Sequence, residues 1–387
     1  MRIGIDIRVL LDKNYSGVAS FTFQLLKNLI KVDRQNAYYF FYNSFKKANI
    51  PFFSKEISIK KTRYPNKVFN YFLQKIFNYP KLDRVVGGSD IFYLPHLNFA
   101  SFSKNSKNII TVHDLSFLRY PEFFSFRKNF WHWALNIKKN INKFDKIIAV
   151  SQNTKNDLIE LLNVSEAKIE VVYPGISEDL TKFQKKDQND DIDKLLKEKY
   201  NLNKDFILYL GTIEPRKNIS GLIKGYDKLR DSGIDCLLVL AGGWGWKTKQ
   251  IKKDWQNSKY QQDIRFIGYI KEDNKPLLYK MAKVFVYPSF YEGFGFPPLE
   301  AMYFGLPVIS SNVSSLPEVL ENAALLINPD KSDEIFQAMK LILSDESVRA
   351  KLIEAGYNQA NKFTWENTAQ KYLQVFEGMI KANYDKK

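Results

Sequence analysis

One cysteine, Cys236, is all that this 387-residue chain carries, and it lies in the apolar run CLLVLAGG. A single thiol excludes an internal disulfide and a cysteine-cluster metal site, and it fits a reducing cytosol. No stretch reaches the roughly 20 consecutive apolar residues that a membrane-spanning helix needs. The opening MRIGIDIRVL lacks the apolar block and small-residue cleavage site of an export signal, so a cytoplasmic location is expected. The spaced glycines of the dinucleotide fingerprint GxGxxG are missing from GIDIRVLLDKNYSG, which argues against a nicotinamide dehydrogenase. Acidic residues are scarce in one half. Residues 1–175 hold 27 Lys and Arg against 13 Asp and Glu, while the remainder holds 31 against 29. Such a field serves nucleic acid, an anionic lipid surface or a phosphorylated substrate, and by itself it does not choose among them.

What is present is the material for two cores. A chain of this length, 45% hydrophobic, exceeds what one core usually supports. Apolar β-rich runs (IGIDI, AYYFFY, DIFYLP, NIITVHD, KIIAVS, then FILYLG, CLLVLAGG, IRFIGYI, KVFVYPS, LPVISS) alternate with amphipathic stretches such as Val18–Val32, Asn153–Leu162, Ile219–Arg230 and Pro297–Phe304. Several runs are continuously apolar, as in parallel sheets covered on both faces. The expected fold class is therefore α/β. Two doubly wound, Rossmann-like parallel-sheet domains, 1–175 and 205–365, are joined by a polar linker at 176–204 and face each other across a cleft. A C-terminal helix, 366–387, is expected to pack back on the N-terminal domain. Ligands of such sheets collect beyond the carboxyl ends of the strands.

Two segments there carry the chemistry. In FVYPSFYEGFGFPPLEAMYFG a strand expected over Val284–Tyr287 leads to a turn with Glu292, Gly293 and Gly295, and Pro297-Pro298 opens a helix with Glu300 in its first turn. Glycines let backbone amides approach a ligand closely, and the amides near Phe296–Leu299 at the positive end of a helix suit a diphosphate. The plain alternative is a surface loop with two solvated carboxylates. In YLGTIEPRKNISGLI, Arg216 and Lys217 sit just before a helix that Asn218 or Ser220 would cap. Cations at that end do not help the helix dipole, so they ask for an anionic ligand unless they form a solvated basic turn.

The first half has weaker signals. His113 and Asp114 follow a strand in NIITVHDLSF, where a histidine is either structural or in contact with a substrate hydroxyl. Ser16-Gly17 precede the first long helix. Lys55–Arg84 and Arg119–Lys146 interleave Lys and Arg with Phe, Tyr and Trp, a mixture that suits anionic lipid headgroups once part of it is assigned to the core.

With these motifs together, the chain resembles the retaining glycosyltransferases of family 4, which have the GT-B architecture. The likeness spans the Gly-containing first loop, VHD, VVYPG, GTIEPRKN, FIGYI and the two glutamates Glu292 and Glu300 followed by AMYFGLPVISS. It implies that the C-terminal domain holds a sugar nucleotide and the N-terminal domain faces the acceptor. By this resemblance Arg216 and Lys217 bind the diphosphate, Glu300 binds ribose, and Glu292 with Gly293, Phe294 and Gly295 contacts the donor hexose and phosphate. Leu299 offers its amide to phosphate, Tyr269 and Ile270 border the base, His113 meets the transferred sugar, and Gly17 lies in the loop approaching donor and acceptor. Many members carry Arg directly after the strand glycine where this chain has Thr212, which shifts weight to Arg216. The implied reaction retains anomeric configuration without a metal or other cofactor, the leaving phosphate serving as base.

The motif variants resemble bacterial mannosyltransferases, which implies hexose transfer from GDP-mannose to a saccharide or lipid-linked acceptor in O-antigen or lipopolysaccharide assembly, at the inner face of the membrane. A UDP-sugar donor such as UDP-glucose or UDP-GlcNAc is the alternative within the fold. A non-enzymatic lipid- or nucleic-acid-binding protein is the alternative outside it, but that would leave the phosphate motifs of the nearly neutral half without purpose, so no nucleic-acid partner is expected. Glu300→Ala and Lys217→Ala are expected to weaken nucleotide binding with the fold intact.

Overall fold

The computed structural model describes residues 1–11, 17–46, 50–51, 53, 57–177, 180 and 190–384. Ser16, Lys55 and positions 178–179 and 181–189 of the expected linker lie outside the described residues. Two compact units emerge: Met1–Leu115 with Phe130–Gly175 and Thr364–Lys387, and Ser116–Asn129 with Ile176–Phe363.

The first unit is built on β1 (Arg2–Asp6), β2 (Ala37–Asn43), β3 (Ser58–Thr62), β4 (Ile91–Leu94), β5 (Lys107–Val112), β6 (Lys146–Ala149) and β7 (Ile169–Val171). They form a parallel sheet in the order β3-β2-β1-β4-β5-β6-β7, with Ile3–Ile5 paired to Tyr38–Phe40 on one side and Ile91–Tyr93 on the other. Ile3, Ile5, Phe40, Ile91 and Ile109 are fully buried, which is why these strands read as unbroken apolar runs. The helices Gly17–Val32 and Trp365–Tyr384 pack together on this unit, the Phe21 and Trp365 rings 5.3 Å apart. Tyr372 and Phe376 of the latter are fully buried, each contributing about 1.5–3 kcal/mol of burial. The Tyr372 hydroxyl shares a 2.7 Å hydrogen bond with Thr111 Oγ1, which shares another of 2.7 Å with the Tyr93 hydroxyl, so the buried polar atoms are satisfied. At Gly175 a Cβ would lie 2.2 Å from the Trp365 backbone nitrogen, so only glycine lets the two chain passages cross.

The second unit contains β8 (Phe206–Leu210), β9 (Leu237–Ala241), β10 (Ile264–Gly268), β11 (Val284–Tyr287), β12 (Val308–Ser311) and β13 (Ala324–Ile327). All pairings are parallel, in the order β10-β9-β8-β11-β12-β13. Winding reverses between β8 and β11, which opens the crevice where such sheets place ligands. The helix Asp190–Tyr200 occupies part of the expected linker and belongs to this unit.

One domain expectation is corrected. Residues 116–129 do not stay with the N-terminal block but join the second unit. Their aromatic residues decide this. Phe124 stacks on Trp246 at 6.0 Å, Phe123 on Phe290 at 5.6 Å, and Tyr120 meets Tyr291 edge-on at 6.0 Å. Trp246 Nε1 donates to the Phe123 carbonyl at 2.6 Å and Lys247 Nζ to that of Glu122 at 2.6 Å. Rings with edge polar groups gain both burial and direction here.

Candidate active site

The β8–β11 crevice collects the two motifs. After β8, Gly211 turns the chain and Pro215 starts a short 3₁₀ turn that carries Arg216 and Lys217. Asn218, in the left-handed conformation, then caps the helix Ile219–Asp231 by accepting from Gly221 N at 3.1 Å, which selects it over Ser220 as the cap. The loop after β11 is tied to this turn because Phe290 N donates to the Arg216 carbonyl at 2.9 Å. Ser314 and Ser315 hold its far side: Glu292 N donates to Ser314 Oγ at 2.9 Å, and Ser315 Oγ donates to the carbonyls of Glu292 and Phe294.

Strand adjacency thus produces an ion cluster. Lys217 Nζ donates to Glu292 Oε1 at 2.5 Å and to the Tyr287 hydroxyl at 2.6 Å. Arg216 Nη1 reaches Glu292 Oε2 at 3.1 Å and the Tyr291 carbonyl at 2.5 Å, while its Nη2 reaches Glu214 Oε1 at 2.8 Å. Glu292 and Lys217 are each 7% exposed. Burial alone would raise the Glu292 carboxyl, but the charges of Arg216 and Lys217 win and hold it at about 2. Lys217 is shifted downward, by burial first and by the Arg216 charge second. These groups are not a surface loop with solvated carboxylates. Removing the Lys217 cation would leave its buried carboxylate partner under-compensated, so Lys217→Ala carries a stability cost as well as a binding one.

The helix Phe296–Tyr303 begins at Gly295, whose φ is 103° and whose Cβ would sit 2.7 Å from Leu316 Cδ2. Two expectations change here. Glu300 is the fifth helical residue, beyond the first turn, because the helix starts at Phe296 rather than at the prolines. And of the first four helical positions only Phe296 and Leu299 bear N–H groups, since Pro297 and Pro298 have none. Amide donation at this start is therefore narrower than the motif suggests. Glu300, 9% exposed, accepts from the Tyr279 hydroxyl at 2.9 Å. Burial raises its carboxyl against the opposing pull of the Lys275 charge. Gly293 and Phe294 lie in the serine-clamped loop.

Tyr269, 66% exposed, and Ile270, 4% exposed, follow β10. Their loop is zipped to its neighbours by Gly242 N donating to the Gly268 carbonyl at 2.8 Å and Gly211 N donating to the Ala241 carbonyl at 2.9 Å. No local sequence signal marks Glu214, Tyr287, Lys275 or Trp244 as site residues. Glu214 stood inside the quoted motif, but nothing local showed that it would pair with Arg216. Trp244, 41% exposed, stacks on Phe266 at 4.6 Å beside these loops.

His113 and Gly17 belong to the first unit. His113 follows β5, with Nε2 2.8 Å from the Pro95 carbonyl and the Phe21 ring edge-on at 4.6 Å. A carbonyl only accepts, so Nε2 carries the proton. Burial shifts the ring downward from its ordinary pKa, which keeps it neutral at pH 7. Gly17 starts its helix, and a Cβ there would meet nothing within 4 Å. A cavity of about 290 Å³ at the ends of β1, β2 and β4, lined in part by Arg8, Asn43, Asn66, Asn70, His96 and Asn98, had no clear sequence signal because its residues come from four separate segments.

No helix among the described residues is long and apolar enough to cross a membrane. Two family models match the chain, "Glycosyltransferase Family 4" over residues 15–180 and "Glycosyl transferases group 1" over residues 187–359. The chain is 33% identical over 288 residues to O-antigen chain mannosyltransferase B of Escherichia coli, covering 74% of this chain and 72% of that one. It is 30% identical over 295 residues to the serotype-specific mannosyltransferase WbdA of Escherichia coli, covering 72% of this chain but only 34% of WbdA. The structure of Anabaena HepE in complex with UDP-glucose superposes with a TM-score of 0.72 at 18% identity, covering 98% of this chain and all of that one.

Proposed function

Since the chain belongs to glycosyltransferase family 4, with two parallel-sheet Rossmann-like domains of the GT-B class, we propose that it moves a hexose, with retention of configuration, from a nucleotide sugar to a saccharide or lipid-linked acceptor. Both Escherichia coli relatives named above are mannosyltransferases, one of them an O-antigen chain mannosyltransferase, so GDP-mannose is the donor we favour and cell-surface polysaccharide the product class. A UDP-sugar donor is the second reading, favoured by the UDP-glucose complex of the Anabaena neighbour.

The observation that carries the reading is the cluster of Arg216, Lys217 and Glu292 in the β8–β11 crevice. Cleavage of the sugar–phosphate bond develops charge on a nucleoside diphosphate, and preorganised cations with the Leu299 amide stabilise that charge more than the ground state. Removing one such donor typically costs about 10²–10³ in turnover. In this proposal Glu300 takes the ribose hydroxyls, Tyr269 and Ile270 border the base, Gly293–Gly295 contact the hexose, and the neutral His113, its one N–H given to the Pro95 carbonyl, accepts from a sugar hydroxyl at Nδ1. Glu292 orients the cations. A carboxyl held at about 2 is a weak nucleophile, so the acceptor hydroxyl attacks on the leaving-group face and the departing phosphate takes its proton. The protein's own cations fill the charge-stabilising role, so turnover should survive EDTA.

The amide-rich cavity near Arg8 suits a hydroxylated acceptor. A lipid-linked acceptor at an anionic, cytoplasm-facing membrane fits the exposed Phe72, Ile76, Phe77, Tyr79, Phe130 and Trp133, with Lys75 over the Trp133 ring. Nothing in the nearly neutral second half asks for nucleic acid. The test is calorimetry or saturation-transfer NMR with a panel of sugar nucleotides. GDP-mannose binding above the others is expected, and a panel in which none binds refutes transfer. Co-sedimentation with anionic vesicles checks the surface, and equal recovery without anionic lipid rejects it.

A further inference from the structure

The proposed diphosphate grip is electrically balanced before any ligand arrives. Arg216 pairs with Glu214 and Glu292, and Lys217 pairs with Glu292. Two cations therefore face two carboxylates. A nucleoside diphosphate adds at least two negative charges to a partly buried site, where unbalanced charge is costly. Glu214 adds to the demand, since it is 2% exposed and its Oε2 is buried with no hydrogen-bond partner.

Segment 116–129 brings another cation to this unit. Lys128 sits two residues beyond Phe126, at the start of the helix Phe126–Leu135, and its ammonium lies 3.1 Å from the centroid of the Trp246 ring. Trp246 is itself fixed by its hydrogen bond to the Phe123 carbonyl and by the stacked Phe124 ring. The Lys128 ammonium makes no ion pair with any described residue. Its parking place adjoins the cluster, because Gly245, next to Trp246, donates its N–H to the Ile213 carbonyl at 2.9 Å and a Cβ on Gly245 would lie 3.4 Å from Glu214 Cβ. The Glu214 and Arg216 charges act on the Lys128 ammonium, after partial loss of water. The indole face holds a cation without neutralising it. A lysine on a flexible four-carbon stem, parked on an aromatic ring beside a balanced ion cluster, is a mobile positive charge in reserve.

We propose that Lys128 is a third cation of the diphosphate site, leaving the Trp246 ring to hydrogen-bond the phosphates of the bound nucleotide sugar. The assignment rests on the reading of the β8–β11 crevice as a nucleotide-sugar site. It would couple donor binding to a segment that precedes the second unit's own sheet by some 80 positions in the chain. Lys128 would make the described cluster net positive by one when the donor enters.

The experiment titrates wild type, Lys128→Met and Lys128→Arg with GDP, UDP, GMP and UMP by calorimetry, and measures donor KM and kcat. Lys128 is exposed, so thermal unfolding of the variants should match wild type. Lys128→Met should lose about 10-fold or more in affinity for the better-bound diphosphate, the size of a charge-assisted hydrogen bond, with a smaller loss for its monophosphate. Lys128→Arg should recover most of it. Wild-type indole fluorescence should change on diphosphate binding, and that component should vanish in Lys128→Met and in Trp246→Phe. Equal diphosphate affinity in wild type and Lys128→Met overturns this assignment alone. Wild type that binds no nucleoside diphosphate overturns both the assignment and the reading beneath it.

Discussion

Lys217 and Glu292 are 75 positions apart in the chain, yet the Lys217 ammonium donates to the Glu292 carboxylate at 2.5 Å inside the second unit. Parallel pairing of β8 with β11 makes this contact, because the loops leaving neighbouring strands at the same end must meet. The pair gives the site a fixed electrostatic centre, and most of what can be tested follows from it.

Lys217→Met should lower stability by about 3 kcal/mol, the cost of stripping a partner from a buried ion pair. Arg216 still reaches Glu292, so the loss should fall short of complete unfolding. The double variant Lys217→Met with Glu292→Gln should regain part of it. Urea denaturation of the three proteins checks this, and additive losses would show that the two side chains are energetically independent.

Acid stability should depend on Glu292. Its carboxyl is depressed from 4.5 to about 2 in the folded state, so it stabilises the fold fully above pH 4.5 and loses that contribution as pH falls toward 2. The shift corresponds to about 3 kcal/mol. In Glu292→Gln the urea midpoint should be lower at pH 7 and flatter between pH 5 and 3. A slope in that window equal to that of wild type would remove Glu292 from the acid response.

Glu300→Gln should keep the fold and its contact with Tyr279. If Glu300 takes ribose hydroxyls, the variant should lose about 10-fold in affinity for a ribonucleotide and little for its 2′,3′-dideoxy analogue. Isothermal titration with both forms is the measurement, and equal losses would assign Glu300 to the scaffold.

Gly242 and Gly17 should respond oppositely to alanine. At Gly242 the φ is 148° and a Cβ would lie 1.9 Å from the Gly211 carbonyl oxygen, so Gly242→Ala should separate the loops after β8 and β9 and cost several kcal/mol, on the order of a severe core defect. At Gly17 the space is open and the position is helical, so Gly17→Ala should leave the melting temperature unchanged or slightly higher. A fall in turnover of Gly17→Ala at unchanged stability would then report on substrate approach.

His113 should titrate below its ordinary pKa, as burial dictates, and remain neutral through pH 7. NMR titration of the imidazole gives the midpoint directly. His113→Ala should reduce kcat by about 10²-fold while nucleotide affinity in the second unit holds. Loss of nucleotide affinity instead would move His113 out of its proposed role at the transferred sugar.

Much of this was legible in the chain because it is local. Continuous apolar runs marked the parallel strands, glycine and proline marked their exits, and GTIEPRKN and the Glu292–Glu300 segment placed charged groups at those exits. Periodicity and turn chemistry act over a few residues, so a single sequence carries them openly. Tertiary structure alone decided who pairs with whom. It put Glu292 between Arg216 and Lys217 rather than in water, joined Glu214 to the same cluster, and started the helix before the prolines. It also sent residues 116–129 to the second unit, where the Phe123 and Phe124 rings found Phe290 and Trp246. The physical reason is that charge balance and ring packing depend on which strands lie side by side, and strand order is set by burying both faces of the whole sheet rather than by any one segment.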